Sequence, residues 1–116
     1  MISAIIVNYQ CVLLTLRAVE SILNERQDVE IWVVDNSVDS SQARQLKQLL
    51  PSKVNLIINE YNNGFAQACN QAYQVSRGEL ILLLNPDAYL VSGCLTVLKR
   101  ALLSDHKIAA VSPQVY

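Results

Sequence analysis

Val29-Glu30-Ile31-Trp32-Val33-Val34-Asp35 is a run of β-branched and aromatic residues that stops at an acid, and the polar stretch Asn36-Ser37-Val38-Asp39 follows it. Branched side chains suit a pleated, buried surface, so the run predicts a strand that ends at Asp35. The same alternation recurs on either side. Upstream, Ser3 to Asn8 is a shorter apolar run and predicts a buried strand. Between the two, Val12, Leu16, Val19 and Leu23 recur at helical spacing, with Arg17, Glu20 and Asn24 off that face. Downstream, Ser40 or Ser41 offers a cap for a helix with apolar positions Ala43, Leu46, Leu49 and Leu50, ended by Pro51. Val54 to Ile58 predicts a third strand, Glu60 to Gly64 a loop, and Phe65 to Arg77 a helix that Gly78 can terminate. Glu79 to Leu84 is the most apolar segment and predicts a central fourth strand, broken by Asn85-Pro86-Asp87. A helix from Ser92 to Leu103 and a last short strand, Ile108 to Val111, complete the series before Pro113.

Such alternation implies a three-layer α/β/α fold with a mainly parallel sheet, right-handed crossovers and helices on both faces. The 116 residues form one domain by this reading. Hydrophobic residues make up 52% and charged residues 16%, which excludes a disordered chain. A net charge of -1 leaves no broad basic surface, so nucleic acid is not an expected partner. Cys11, Cys69 and Cys94 are odd in number and lack a C-x-x-C pair, so they read as reduced core residues suited to the cytoplasm. No basic leader precedes the first apolar run, and no run reaches the roughly 18 residues a bilayer span needs. Any membrane association is left to residues beyond this chain.

In open parallel sheets, ligands sit beyond the carboxyl ends of the strands, near the point where strand order reverses. Those ends carry Asn8-Tyr9, Asp35-Asn36, Asn59-Glu60 and Asn85-Pro86-Asp87, with Asn62-Asn63-Gly64 opening the third helix. A carboxylate only accepts hydrogen bonds, so Asp35 suits an imide N–H such as N3–H of uracil or thymine. Tyr9 offers a ring to a flat base. Asp87 suits a divalent cation that in turn carries a diphosphate. Gly64 permits close backbone approach, and the helix start beside it favours anions. Blander roles compete: Asp35 as a turn residue, Asn85-Pro86-Asp87 as a plain turn, Asp39 as a helix cap. Asp39 is read as the cap. Trp32, Tyr73 and Tyr89 read as packing residues, and His106 as an exposed helix-end residue.

Taken together, the segments resemble the amino-terminal nucleotide-binding half of family 2 glycosyltransferases of the GT-A fold, in particular the rhamnosyltransferase-type branch. Four blocks appear in the family's order. Ser3 to Tyr9 resembles its opening strand, and Val33 to Ser41 its V-D-N-x-S-x-D-G-S block. Asn62 to Asn70 resembles N-x-G-F-A-x-A-x-N, and Leu84 to Ala88 resembles L-N-P-D-A, a version of the D-x-D element. The resemblance implies a transferase that moves a sugar, with inversion, from a UDP- or dTDP-sugar to a saccharide or lipid-linked acceptor in cell-surface polysaccharide synthesis. It places Asn8, Tyr9, Asp35, Asn62, Gly64, Asn70 and Asn85 at the nucleotide, and Asp87 at Mg²⁺ or Mn²⁺.

Two departures matter. Asn85 stands where D-x-D has its first acid, so Asp87 alone brings charge to that element. No residue matches the family's general base, so the chain is expected to stop before the acceptor-binding half, and its cut sheet edge to favour self-association. The rival class is a non-catalytic receiver-like signalling module. That class needs an acidic pair after the first strand and a lysine after the last, where this chain has Asn8-Tyr9 and Ser112-Pro113.

Overall fold

The computed structural model describes residues 1–114. It alternates β1 (Ile2–Asn8), α1 (Val12–Leu23), β2 (Val29–Asp35), α2 (Ser40–Leu49), β3 (Asn55–Ile58), α3 (Gly64–Val75), β4 (Leu80–Leu83) and α4 (Cys94–Leu103). The sheet is parallel throughout, in the order β3-β2-β1-β4. β1 and β2 are the two interior strands, and all seven residues of β1 are buried. A strand covered by helices on both faces has no solvent side, which explains its unbroken apolar run.

Two apolar layers flank the sheet. On one face Ala4, Ile6, Ile31 and Val33 pack with Val12, Ala18, Val19 and Ile22 of α1 and Leu46 of α2. On the other, Ile5, Val7 and Val34 pack with Ala68, Cys69 and Ala72 of α3. The small residues of α3 let that helix lie close to β1 and β2. No helix is long and apolar enough to cross a membrane among the described residues.

Several expectations are corrected. β4 is an edge strand rather than a central one, paired to β1 alone among the described residues. Its apolarity reflects layers above and below it, since Ile81 joins one cluster and Leu82 and Leu84 the other. Ile108 to Val111 forms no strand, because it makes no ladder and only skirts a groove beside β4 and α4. Neither Ser40 nor Ser41 caps α2; Asp39 does, accepting from the Ser41 and Gln42 amides at 2.8 and 3.4 Å. α3 ends at Val75, and extended Ser76 closes it instead of Gly78. Among the cysteines only Cys69 is buried, while Cys11 and Cys94 are half-buried, all three as free thiols. Tyr73 and Tyr89 are exposed rather than packed, whereas Trp32 does pack on the α3 side. His106 is exposed, as expected.

At the amino-terminal end of the sheet, buried Glu30 gathers the Ser3 hydroxyl at 2.6 Å and the Arg77 backbone N–H at 2.7 Å. Arg77 adds its guanidinium at 3.6 Å. Burial alone would raise the Glu30 carboxyl above its ordinary 4.5, but those hydrogen bonds and the Arg77 charge outweigh it and hold the group lower. The indole N–H of Trp32 leans the same way without closing a hydrogen bond, and among the described residues it stays buried without a partner. A lowered carboxyl contributes stability above its unfolded value, and that contribution is lost as pH falls through the folded one. Thermal melts from pH 6 to pH 3 should therefore show Glu30→Gln less stable at pH 6 by about 2 kcal/mol, with a shallower acid slope. An unchanged slope would contradict this role.

Candidate functional site

Strand order turns back at β1, with β2 and β3 on one side and β4 on the other. The loops leaving β1, β2 and β4 therefore share one rim; β2 and β4 lie two strand spacings of ~4.8 Å apart, and β4 stops opposite Ile5, three residues short of the Asn8–Asp35 pair.

Asn8 ends β1 directly opposite Asp35, which ends β2. Its side chain is buried and engaged at both ends. The amide nitrogen donates to Asp35 Oδ1 at 3.0 Å, Ser37 Oγ at 3.2 Å and Gln42 Oε1 at 3.3 Å. The amide oxygen accepts from Thr15 Oγ1 of α1 at 2.7 Å. Asn8 thus braces the site and presents no exposed side-chain surface. Asp35 is 1% exposed and also accepts from the Ser37 backbone N–H at 3.1 Å. Both bonds fall on Oδ1. Among the described residues Oδ2 accepts no hydrogen bond and keeps its acceptor capacity.

Tyr9 follows at the rim with 58% of its surface exposed. The two loops beside it are stitched by Ser37, which accepts from the Gln10 N–H at 2.8 Å through Oγ and from Gln10 Nε2 at 3.2 Å through its carbonyl. Gln10 and Val38 both hold left-handed φ, 54° and 55°. A branched residue such as Val38 rarely adopts that conformation, so the surrounding bonds hold a strained loop next to Asp35.

An amide network that the sequence did not single out orders the opposite side. Asn59 and Gln71 exchange hydrogen bonds of 2.8 and 2.9 Å, Asn63 donates to Gln71 at 2.9 Å, and Asn59 donates to Asn36 at 2.6 Å. Asn36 in turn donates to the Gly64 carbonyl at 3.2 Å. Asn62 closes the turn into α3 by accepting the Gly64 N–H at 3.0 Å, and Gly64 has φ 83°, which explains glycine there. The spacing of Asn59, Asn63 and Gln71 at four and eight residues is the one sequence signal for this network, and it crosses a strand end, so periodicity alone conceals it.

Asn70, Asn85 and Asp87 are exposed, and among the described residues their side chains make no hydrogen bond. The Asn85 turn is closed by the Ala88 N–H on the Asn85 carbonyl at 3.0 Å. Among the described residues no three His, Cys, Asp or Glu gather around a metal position. A free carboxylate next to an exposed amide is too little for an all-protein cage. It does fit Mg²⁺ or Mn²⁺, which take one or two carboxylates, substrate phosphates and water. The structure therefore joins Asn8 to Asp35 directly and Asn62 and Gly64 to the β2 end through Asn36. It leaves Tyr9, Asn70, Asn85 and Asp87 as separate exposed groups. Two grooves, each of about 320 Å³, lie elsewhere, one between α1 and Tyr89-Leu90 and one between β4 and α4.

The family description "Glycosyl transferase family 2" matches residues 3–116. No curated protein matches the chain by sequence. Residues 1–349 of S. aureus TarS superpose with a TM-score of 0.70 at 20% identity, covering 97% of this chain and 38% of that one. A mannosyltransferase from Pyrobaculum calidifontis, solved with GDP-Man and Mn²⁺, gives 0.63 at 23% identity over 78% of this chain and 28% of its own. A longer TarS structure gives 0.67 at 19% identity over 89% and 19%. The chain thus spans well under half the length of each of these neighbours, and the likeness shows the fold.

Proposed function

The chain belongs to glycosyl transferase family 2, and from that premise we propose that it forms the nucleotide-binding part of an inverting, rhamnosyltransferase-like enzyme. The donor is a UDP- or dTDP-sugar and the acceptor a saccharide or lipid-linked precursor. The GDP-Man and Mn²⁺ bound to the mannosyltransferase neighbour support a nucleotide-sugar donor and a divalent ion in this architecture.

The observation that carries the reading is Asp35, a buried acid at the end of β2 with Oδ1 engaged twice and no hydrogen bond on Oδ2 among the described residues. One open acceptor matches the single imide N–H of uracil or thymine. Guanine offers two adjacent donors and would ask for both oxygens. Tyr9 stacks on the base, Gly64 and Asn62 bring the α3 amino terminus to the phosphates, and Asn70 and Asn85 line their path. Asp87 would hold Mg²⁺ or Mn²⁺ against the diphosphate. When bound, the ion supplies Lewis-acid stabilisation of the leaving group. No described residue is assigned as the general base that takes the acceptor's proton.

Calorimetry with UDP, dTDP and GDP, each with and without Mn²⁺, tests the reading. UDP or dTDP should bind at least 10-fold more tightly than GDP, an energy of about 1.4 kcal/mol. Asp87→Ala should remove the gain conferred by Mn²⁺ and leave the melting temperature near that of the parent, because its exposed side chain makes no hydrogen bond among the described residues. Equal binding of all three nucleotides, or none, would refute the proposal.

A further inference from the structure

One stripe of α1 reaches across to the segment that carries Asp87. Arg17, Ser21 and Glu25 recur every fourth residue through α1 and the turn after it, so they lie in one row. Arg17 Nη2 donates to the Asp87 carbonyl at 3.4 Å, and its guanidinium lies 4.5 Å from the centre of the Tyr89 ring. Ser21 Oγ accepts the Leu90 N–H at 3.0 Å. Glu25 accepts the Gly93 and Leu95 N–H groups at 2.9 and 2.7 Å, capping α4 from across the chain. α4 has no side-chain cap of its own. The same helix reaches the other acid, because Thr15 holds Asn8 and Asn8 holds Asp35. α1 is therefore a common splint for two strand ends that do not touch.

We infer that Arg17 is a positioning residue, holding the Asp87 loop at a set place relative to Asp35 and thereby setting how far a divalent ion strengthens nucleoside diphosphate binding. The second clause rests on the proposed function; the first does not. Arg17 is the member of the row that reaches the Asp87 loop, and its hydrogen bond and cation–π contact go to the Asp87 backbone and the Tyr89 ring. Among the described residues it forms no ion pair with a carboxylate, Glu20 included. Its action on Asp87 is thus through placement.

Charge and placement predict opposite signs. A cation near a metal-binding carboxylate repels the incoming ion, so by charge alone Arg17→Ala would increase the Mn²⁺ gain. Loss of placement decreases it. Were Arg17 to contact phosphate directly, Arg17→Ala would instead weaken binding without metal as well.

The test has two arms on the whole chain. In the first, amide hydrogen exchange is followed at Ala88 and Leu90 in the parent, Arg17→Ala and Arg17→Lys. Exchange should quicken by about fivefold in Arg17→Ala, the loss of one exposed cation–π contact and one weak hydrogen bond. Arg17→Lys, which keeps the charge over the ring, should fall between. In the second, UDP is titrated with and without Mn²⁺. The Mn²⁺ gain should drop by about fivefold in Arg17→Ala, with metal-free affinity where it was. Unaltered exchange overturns the positioning role, whether or not UDP binds. Quicker exchange with an equal or larger Mn²⁺ gain overturns the link to the metal, and so does a matching loss with and without Mn²⁺. Failure of the parent to bind UDP at all overturns the proposed function, while the exchange arm still decides the placement.

Discussion

Asp35→Asn should lower affinity for UDP by about 100-fold, close to 3 kcal/mol, while the protein melts within a few degrees of the parent. The reason lies in which oxygen is engaged. Two donors, Asn8 Nδ2 and the Ser37 N–H, point at Oδ1. An asparagine must present its oxygen to them, because its NH₂ would face two donors with nothing to accept. The local structure is thereby kept, and the NH₂ takes the position of Oδ2. There a donor meets the imide N–H of the base, and the contact turns from attractive to repulsive. Asp35→Ala is the weaker test, since it also strips partners from the buried Asn8. Calorimetry paired with thermal melts separates the two effects, and Asp35→Asn with unchanged UDP affinity would remove Asp35 from the base site.

The largest expected effect on stability is at Gly78. A Cβ there would sit 2.5 Å from the Ser3 backbone nitrogen and 2.8 Å from the Ile2 carbonyl carbon. Neither atom can move, because both belong to an interior strand. The Gly78 N–H also donates to Ser3 Oγ at 2.7 Å, beside the Glu30 knot. Gly78→Val should cost about 3 kcal/mol or more, a fall in melting temperature of roughly 10 °C or beyond. Gly78→Ala should show the same sign at smaller size. Adding Ser3→Ala to Gly78→Ala relieves the hydroxyl contact and leaves the backbone one, so recovery should be partial. Full recovery would show that the side chain alone sets the fit.

The glycine also marks the boundary of sequence reading. A Gly after a helical stretch signals a left-handed helix end, yet Gly78 has ordinary φ and its need is steric. The neighbour that requires it, Ser3, lies at the other end of the chain. Asn8 has a similar history. Its place at a strand end suggested a ligand, but five side chains claim both ends of its amide. Those partners come from α1, α2 and the β2 end, which meet only once the sheet has formed. Asp39 was readable from sequence because its cap contacts are local, at the second and third residues on.

Local patterning determined what depends on neighbours in the chain: the alternation of strands and helices, the parallel sheet that such alternation requires, and the acids at the strand ends. Hydrophobic period and turn chemistry act over a few residues and can be read there. Tertiary structure decided what depends on distant partners. It put β1 in the interior and β4 at its edge, left Ile108 to Val111 without a ladder, and tied Asp35 and the Asp87 loop to one helix. Strand order and open acceptors are properties of packed surfaces, and an apolar run reads the same whether one neighbour pairs with it or two.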